Sequence, residues 1–336
     1  MHPPLLTRHS RAVLQSAAGG ESARTILVAL VANIVIAVAK LVAGVISGSA
    51  ALLGEAIHSF ADSVNEVLLG YSLRRGRIPA DAIHPLGHGR EQFLWAFMAA
   101  IASFLIGGCL SIGLAIRELA TGGTTGNARI AWIVLAIAFI ADGVSWLQGM
   151  RQARRQARAW DLTVWRYLLS TSDPALRAVV VEDSVALVGL GIAAAGLALS
   201  QLTGSETLDA AAALLIGILL AATAFGLGRL LADFLVGRTL PQPLLQRLGN
   251  ILASSPAIEE VLLVRAVYVG PEEVIVTAKL RPAPNLTVDQ LAHAMDQLDA
   301  AMRTTVPLVA DVYLDITAYS MDTLPLDADH GYDFQW

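Results

Sequence analysis

The second long apolar segment of this 336-residue chain carries ionisable side chains in a pattern that suits metal binding. His58, Asp62 and Glu66 follow one another at intervals of four residues, so a helix would place them on one face. An ionisable group inside a membrane-spanning segment is costly unless it is paired, hydrated or bound to an ion. Imidazole and carboxylate ligands without a thiolate suit Zn²⁺ or another first-row divalent ion. The pattern therefore favours a metal site in the membrane over a set of hydrogen-bonded packing residues.

Other apolar segments contribute further ionisable residues, namely Lys40, Asp142, Glu182 and Asp183. A lysine is a cation and a poor metal ligand, so we expect Lys40 to pair with a carboxylate or to extend toward the interface. Glu55 and Asp209 lie near predicted helix ends, where capping or solvation explains them at least as well as metal binding.

A second group of possible metal ligands lies in the polar loop after the second apolar segment. Asp81, His84 and His88 fall within eight residues of one another, and together they could chelate a metal ion. The alternative is a hydrogen-bonded or merely solvated cluster at the membrane surface. Metal ligands must be deprotonated, so metal binding releases protons, which offers a direct route to the exchange of metal for protons.

Composition and segment length indicate the elements that would position these residues. Hydrophobic residues make up 55% of the chain and charged residues 15%, whereas soluble domains carry about 25% charged residues. This balance and the net charge of −5 exclude an ordinary cytosolic enzyme, a disordered chain and a nucleic-acid-binding protein. Six apolar runs have about the length that crosses a bilayer. They cover residues 25–47, 51–73, 92–116, 130–149, 175–199 and 208–228.

Arginines in the short connections lie almost entirely on one side of these six segments. The positive-inside rule then places both termini in the cytoplasm. We expect a cytoplasmic N-terminal arm over residues 1–23 and a six-helix transmembrane domain over residues 24–230. We also expect a multi-pass protein of a bacterial inner membrane.

The chain after residue 240 has the pattern of a small cytoplasmic α+β domain over residues 240–317. Its predicted elements follow the order α-β-β-α-β of a ferredoxin-like fold, at residues 244–253, 260–269, 273–281, 288–303 and 309–316. A domain of roughly 80 residues is small for a free-standing core, so we expect it to dimerise. Residues 318–336 are predicted to form a flexible tail.

These features together resemble the cation diffusion facilitator family. The stretch from Ser47 to Asp62 resembles that family's signature, and the stretch from His84 to Glu91 resembles its loop before the third span. The resemblance implies a homodimeric exporter in the lipid bilayer that exchanges Zn²⁺ or a similar divalent ion for protons by alternating access. It implies a transporter rather than an enzyme, with no cofactor besides the transported metal. An intramembrane metal hydrolase is poorly supported, because the chain has no His-Glu-x-x-His motif.

The family's transport site takes two ligands from the second span and two from the fifth. By resemblance, His58 and Asp62 occupy the second-span positions. The family often has His-x-x-x-Asp in the fifth span, and this chain has Val179 at the His position and Asp183 at the Asp position. The pair formed by Glu182 and Asp183 resembles the branch of the family that carries Glu-Asp there instead.

The sequence leaves open which group replaces the histidine ligand that is missing at Val179. Glu182 lies about 100° from Asp183 around a helix, so it reaches the site only if the helix rotates or its side chain bends across. Glu66, one turn beyond Asp62, and a water molecule are the alternatives. A site with one imidazole is harder than one with two, which could extend its selectivity toward Mn²⁺ or Fe²⁺.

The resemblance also covers the loop, where Asp81, His84 and His88 match the family's ligand positions. In the C-terminal domain the match is weaker, because Tyr313 occupies the place of a family histidine, which leaves Asp315 and His293 as weak candidates. We therefore expect this domain to dimerise without binding metal tightly. The rival interpretation is a transport-inactive membrane protein that senses metal or serves as a scaffold.

Overall fold

The protein is described by a computed structural model, which covers residues 30–31, 33–122 and 128–319. The predicted arm over residues 1–23, the start of the first span and nearly all of the predicted tail lie outside these residues. The helices are α1 (Asn33–Ser47), α2 (Ala50–Arg75), α3 (Glu91–Thr121), α4 (Ala128–Ala159), α5 (Val164–Ser170), α6 (Pro174–Thr203), α7 (Thr207–Val236), α8 (Gln242–Ala253) and α9 (Val288–Thr305). The strands are β1 (Ile258–Gly270), β2 (Glu273–Pro282) and β3 (Val309–Ile316).

Four of these helices, α3, α4, α6 and α7, are long and apolar enough to cross a membrane. Helix α2 is 26 residues long, but the ionisable residues within it reduce its apolar character. The described part of α1 is shorter, and its large apolar side chains are mostly exposed, as lipid-facing side chains are. The predicted fold class, a helical membrane protein with a small α+β domain, is confirmed.

Helix α4 continues ten residues past residue 149, where the predicted fourth span ends, to Ala159. The extension is rich in arginine, glutamine and alanine, which favour helix as strongly as apolar residues do. Hydropathy detects where a segment would leave the membrane, and it is insensitive to a helix that continues in polar sequence. Helix α7 likewise extends beyond its apolar run, to Val236.

The chain divides into two compact units. The helical unit contains the described residues up to Arg75 together with Leu94–Arg151 and Ala175–Leu231. Its interior is built largely from alanine, whose small side chain allows helices to approach closely, together with leucine. Helices α3 and α7 approach closely at Gly108, where a Cβ would lie 2.9 Å from the Cα of Ala221. Gly108 belongs to a π-helical turn, Phe104–Leu110, that interrupts α3.

The second unit contains Gly76–Phe93, Gln152–Pro174 and the described residues from Ala232 onward. Its sheet has the order β1-β2-β3, with β1 and β2 antiparallel and β2 and β3 parallel. The alternation predicted for β2 is confirmed, since its buried residues are Val274, Val276, Ala278 and Leu280. Helices α8 and α9 contribute leucines and Met302 to the same core. Thr287 and Gln290 form a reciprocal capping box at the start of α9.

The loop before α3 is part of this second unit and packs against the sheet. A Cβ on Gly89 would lie 2.6 Å from the carbonyl oxygen of Val269, so glycine is needed for this close approach. Phe93 stacks on Phe234 with ring centroids 5.0 Å apart, and Phe234 in turn contacts Tyr268. These contacts attach the end of the loop that leads into α3 to the core of the unit.

Candidate metal transport site

A cavity within the helical unit brings together side chains of α2, α3, α6 and α7. Its ionisable lining residues are His58, Asp62 and Glu182. The remaining lining is apolar or small: Ala61, Ala100, Ser103, Gly107, Val185, Leu220, Thr223, Ala224 and Leu227. Two of these, Ser103 and Gly107, lie at the π-helical turn of α3, a distortion that is frequent at functional sites.

His58 and Asp62 lie one helical turn apart on α2, as their spacing predicts. The Nε2 atom of His58 is 3.5 Å from Oδ2 of Asp62, and His58 is only 4% exposed. This buried nitrogen has no hydrogen-bond partner among the described residues. An unpaired buried nitrogen beside a carboxylate costs free energy, and a bound divalent cation would remove that cost.

Helix α6 presents Glu182 to the cavity. From the sequence, Glu182 was expected to reach the site only if the helix rotates or its side chain bends across. The side-chain amide of Asn65 donates to both carboxylate oxygens of Glu182, with Nδ2 2.5 Å from Oε1 and 2.6 Å from Oε2. Asn65 is buried on α2, three residues after Asp62. Sequence reasoning missed this asparagine, although its helical spacing from Asp62 is the signal that could have found it.

Asp183 is absent from the lining of the cavity as far as the described residues define it. Its side chain accepts a hydrogen bond from Ser145 and lies close enough to Asp62 and Asp142 to interact with them electrostatically. One of its oxygens, Oδ2, is buried without a hydrogen-bond partner in the part of the chain that is described. Asp183 therefore lies close to Asp62 but off the described cavity lining, whereas Glu182 is on that lining.

Glu66, an alternative for the fourth ligand, and Val179, at the position of the missing histidine, both lie off the described cavity lining. Glu66 accepts a hydrogen bond of 2.7 Å from Asn33 of α1 and is not on the described cavity lining. Val179, at the position of the family's histidine, is 39% exposed and lies beside the Gly149 backbone of α4.

Lys40 pairs with a carboxylate, one of the two outcomes expected for it. Its Nζ lies 3.1 Å from Oε2 of Glu55, 2.9 Å from Oγ of Ser59 and 3.9 Å from Oδ2 of Asp142. The side chains of Lys40 and Glu55 are completely buried. Glu55 is therefore an ion-pair partner in the interior, rather than a solvated group at a helix end.

Asp209 acts as a helix cap, which is one of the roles expected for it from the sequence. Its Oδ1 accepts a 2.9 Å hydrogen bond from the Ser49 hydroxyl, and its Oδ2 accepts one of 3.2 Å from the backbone of Ala51. The carboxylate at the start of α7 thus satisfies free N–H groups at the start of α2 and complements the dipole of that helix.

The loop residues Asp81, His84 and His88 form a compact group in the second unit. One ligand atom from each lies within 4.8 Å of the others. Nε2 of His88 is 3.1 Å from Asp81, and its Nδ1 is 2.6 Å from Oε1 of Glu91. A carboxylate on the far nitrogen of a histidine fixes the tautomer that presents the other nitrogen to a metal. Glu91 is a further residue that sequence reasoning missed.

Hydrogen bonding shifts the ionisation of two of these loop residues. Backbone donation from His84 and the ring of His88 hold the pKa of the Asp81 carboxyl well below its usual range. The Glu91 carboxylate, and secondarily Asp81, raise the pKa of His88 above its ordinary value. Protons would therefore compete with a metal ion for the His88 ring up to a higher pH than they would for an unperturbed imidazole.

The weak C-terminal candidates are not brought together. The His293 ring contacts Gln297, and Asp315 pairs with Lys279 on the neighbouring strand. Among the described residues, the loop group is the only set of three histidine, cysteine or acidic residues whose ligand atoms lie this close together.

Comparison with known proteins points to one family. Residues 26–235 match the sequence profile of the cation efflux transmembrane domain. The chain is 28% identical to metal tolerance protein C4 of Arabidopsis thaliana over 250 residues, which is 74% of this chain and 55% of the relative. It is 30% identical to the mitochondrial proton-coupled zinc antiporter SLC30A9 of Xenopus laevis over 235 residues, which is 70% of this chain and 42% of the relative.

A third relative is similar over more of its length. The chain is 24% identical to the magnetosome protein MamB of Paramagnetospirillum magneticum over 301 residues, which is 85% of this chain and 90% of the relative. The chain spans only about half the length of the first two relatives. The profile match covers well over half of the chain and includes every ionisable residue of the cavity. This integral membrane protein belongs to the cation diffusion facilitator family of cation efflux proteins.

Proposed function

We propose that the protein exports a divalent metal ion from the cytoplasm in exchange for protons, by alternating access of one site. The observation that carries this proposal is the cavity whose lining includes His58, Asp62 and Glu182. An imidazole and two carboxylates from two helices supply three ligands for a divalent cation in an otherwise apolar setting. The name of the Xenopus relative, a proton-coupled zinc antiporter, supports the same activity.

The proposed ligands are His58 and Asp62 from α2 and Glu182 from α6, with Asp183 beside them. Only Glu182 of the two α6 carboxylates is on the cavity lining, which favours it as the direct ligand. Asp183 adds negative charge close to Asp62 and so attracts the cation. Water is proposed to complete the coordination, in place of the histidine that other family members carry at the Val179 position.

Metal and protons compete for the same lone pairs, which is the proposed basis of exchange. Binding of metal requires deprotonated His58 and carboxylates, and protonation of these groups weakens binding. Rocking of the helical unit would expose the site first to the cytoplasm and then to the opposite side. Protonation on that side would release the metal, and deprotonation on the cytoplasmic side would reset the site.

Zn²⁺ is the proposed principal substrate, with Mn²⁺ and Fe²⁺ as alternatives. One imidazole and several carboxylates make a harder ligand set than two imidazoles and two carboxylates, and oxygen ligands favour harder ions. We further propose that the protein is a homodimer in a bacterial inner membrane with both termini in the cytoplasm. The loop group of Asp81, His84 and His88 is proposed as a second metal site.

Flux measurements in proteoliposomes test the transport proposal. Zn²⁺, Mn²⁺ and Fe²⁺ uptake would be recorded under a set pH gradient, together with proton movement, for the wild type. His58→Ala, Asp62→Ala and Glu182→Gln should each abolish or strongly reduce both metal flux and the coupled proton flux. Asp183→Asn should reduce flux less than Glu182→Gln, because Asp183 does not face the cavity.

Thermal unfolding of each purified variant controls for loss of the fold. Metal flux that is retained in both His58→Ala and Asp62→Ala would contradict the site. A folded wild type with no flux of any of the three ions would contradict the transport function and support the sensor or scaffold interpretation.

A further inference from the structure

We infer that Asn65 is a positioning residue that holds Glu182 in place as a metal ligand; this inference rests on the proposed transport function. The contact joins α2 to α6, the two helices that supply the proposed ligands. The Asn65 amide nitrogen lies within 2.6 Å of both Glu182 oxygens, and Asn65 is 3% exposed.

The geometry leaves Glu182 free to bind a cation. A carboxylate has about four lone-pair positions on its two oxygens, and one amide group can occupy only one on each oxygen. The remaining lone pairs can face the cavity, whose lining includes Glu182. The bonds to Asn65 therefore fix the direction of the carboxylate without using up its capacity to bind metal.

The chemistry of an amide suits this role better than that of a basic side chain. Lysine or arginine at this position would also bind Glu182, but its charge would repel the incoming cation and cancel the attraction of the carboxylate. A neutral donor stabilises the anion and leaves the negative charge available. It also orients a carboxylate that lies within electrostatic range of three others, Asp62, Glu66 and Asp183.

An anchored ligand binds metal more tightly than a mobile one, because the cost of orienting it is met before the metal arrives. Groups that hydrogen-bond to a metal ligand typically contribute about 10- to 100-fold in affinity. Without Asn65, repulsion from the neighbouring carboxylates would turn Glu182 away from His58 and Asp62. The expected consequence is weaker binding of metal by an otherwise complete site.

Zn²⁺ transport by Asn65→Leu, a substitution that keeps the branched shape of the side chain but removes the donor, tests this inference. The half-saturating Zn²⁺ concentration should rise by about 10- to 100-fold, while the maximal rate falls by a smaller factor. A general packing defect would instead lower the maximal rate or the stability without such a selective loss of affinity. If Asn65→Leu fails to fold, Asn65→Ser removes the two-oxygen contact with a smaller side chain and should shift affinity in the same direction.

Trp146→Phe is the matched control. It removes a 2.8 Å hydrogen bond to Ser184, which also lies on α6 but is not on the described cavity lining. Its half-saturating concentration should equal that of the wild type. If a folded Asn65 variant keeps wild-type flux and affinity, the positioning role of Asn65 is overturned, while the proposed transport function stands. A folded wild type that transports none of Zn²⁺, Mn²⁺ and Fe²⁺ would overturn the transport function, and the role of Asn65 with it.

Discussion

Lys40 of α1 and Glu55 of α2 form a completely buried ion pair, with 3.1 Å between Nζ and Oε2. The pair lies one helical turn from His58, on the side of α2 where that helix begins. It joins the first two helices of the bundle, and Asp142 brings α4 within 3.9 Å of the same ammonium group. The pair thus stabilises the helix that carries two of the three proposed metal ligands.

Removal of one partner of this pair should destabilise the helical unit strongly. Lys40→Met leaves Glu55 buried without its counter-charge, and loss of one partner of a buried pair typically costs about 3–5 kcal/mol. The double variant Lys40→Met with Glu55→Gln should recover most of this loss, because no uncompensated charge remains. Thermal and denaturant-induced unfolding in detergent would measure both effects.

Lys279→Met provides the control for that experiment, since Lys279 pairs with the exposed Asp315 at the surface of the sheet. Exposed pairs contribute about 0–1 kcal/mol, so this variant should unfold close to the wild type. If Lys40→Met and Lys279→Met lowered the free energy of unfolding equally, a stabilising role for the buried Lys40–Glu55 pair would be contradicted.

Asp209→Ala should destabilise the start of α2 by removing the acceptor for Ser49 and Ala51. Loss of a capping side chain typically costs about 0.5–2 kcal/mol. Unfolding in detergent would measure the loss, with Glu206→Ala, one turn earlier and partly exposed, as the comparison. A loss in Glu206→Ala as large as that in Asp209→Ala would argue against a specific cap.

Gly108→Ala should reduce stability, because the new methyl group would collide with the Ala221 backbone where α3 meets α7. Overpacking of this kind costs about 1–3 kcal/mol. Gly113→Ala is the matched control on the same helix, since a Cβ at Gly113 meets no described atom within 4 Å. Unfolding temperatures of the two variants should differ, and identical values would contradict the close approach of these helices.

The His88 ring should titrate above pH 6.5, and Glu91→Gln should lower its pKa toward the ordinary value. Since its folded-state pKa is raised, protonated His88 stabilises the loop fully below pH 6.5, and this contribution is lost as pH rises through the raised pKa. Asp81→Asn should lower the pKa less, because Glu91 is the larger cause.

NMR titration of histidine ring resonances in metal-free protein would measure these values. A His88 pKa that is unaltered by Glu91→Gln would contradict the hydrogen bond between the two side chains.

The sequence alone predicts the helices and strands of this protein well, because long apolar runs and strict alternation are local properties. The β3 strand has the predicted bounds, Val309–Ile316, and α2 differs from its prediction by one or two residues at each end. The extension of α4 to Ala159 was missed, since apolar character ends where the helix continues.

The candidate site could be predicted only in part. His58 and Asp62 are related by local spacing on one helix, so their proximity follows from sequence. Whether Glu182 or Asp183 faces them depends on the rotation of α6 relative to α2, which long-range packing determines. The bond from Asn65 to Glu182 spans 117 residues of sequence, so no local pattern could assign it.

The backbone of Gly89 packs directly against the end of β1, so a displacement of the loop is transmitted to the sheet. His88 is the direct neighbour of Gly89, and the turn there leaves no space for a side chain beside Val269 and Gly270. A cation that drew His88 toward Asp81 would therefore pull on the sheet through a single peptide unit. The second unit would register binding of that cation as a strain on its own fold.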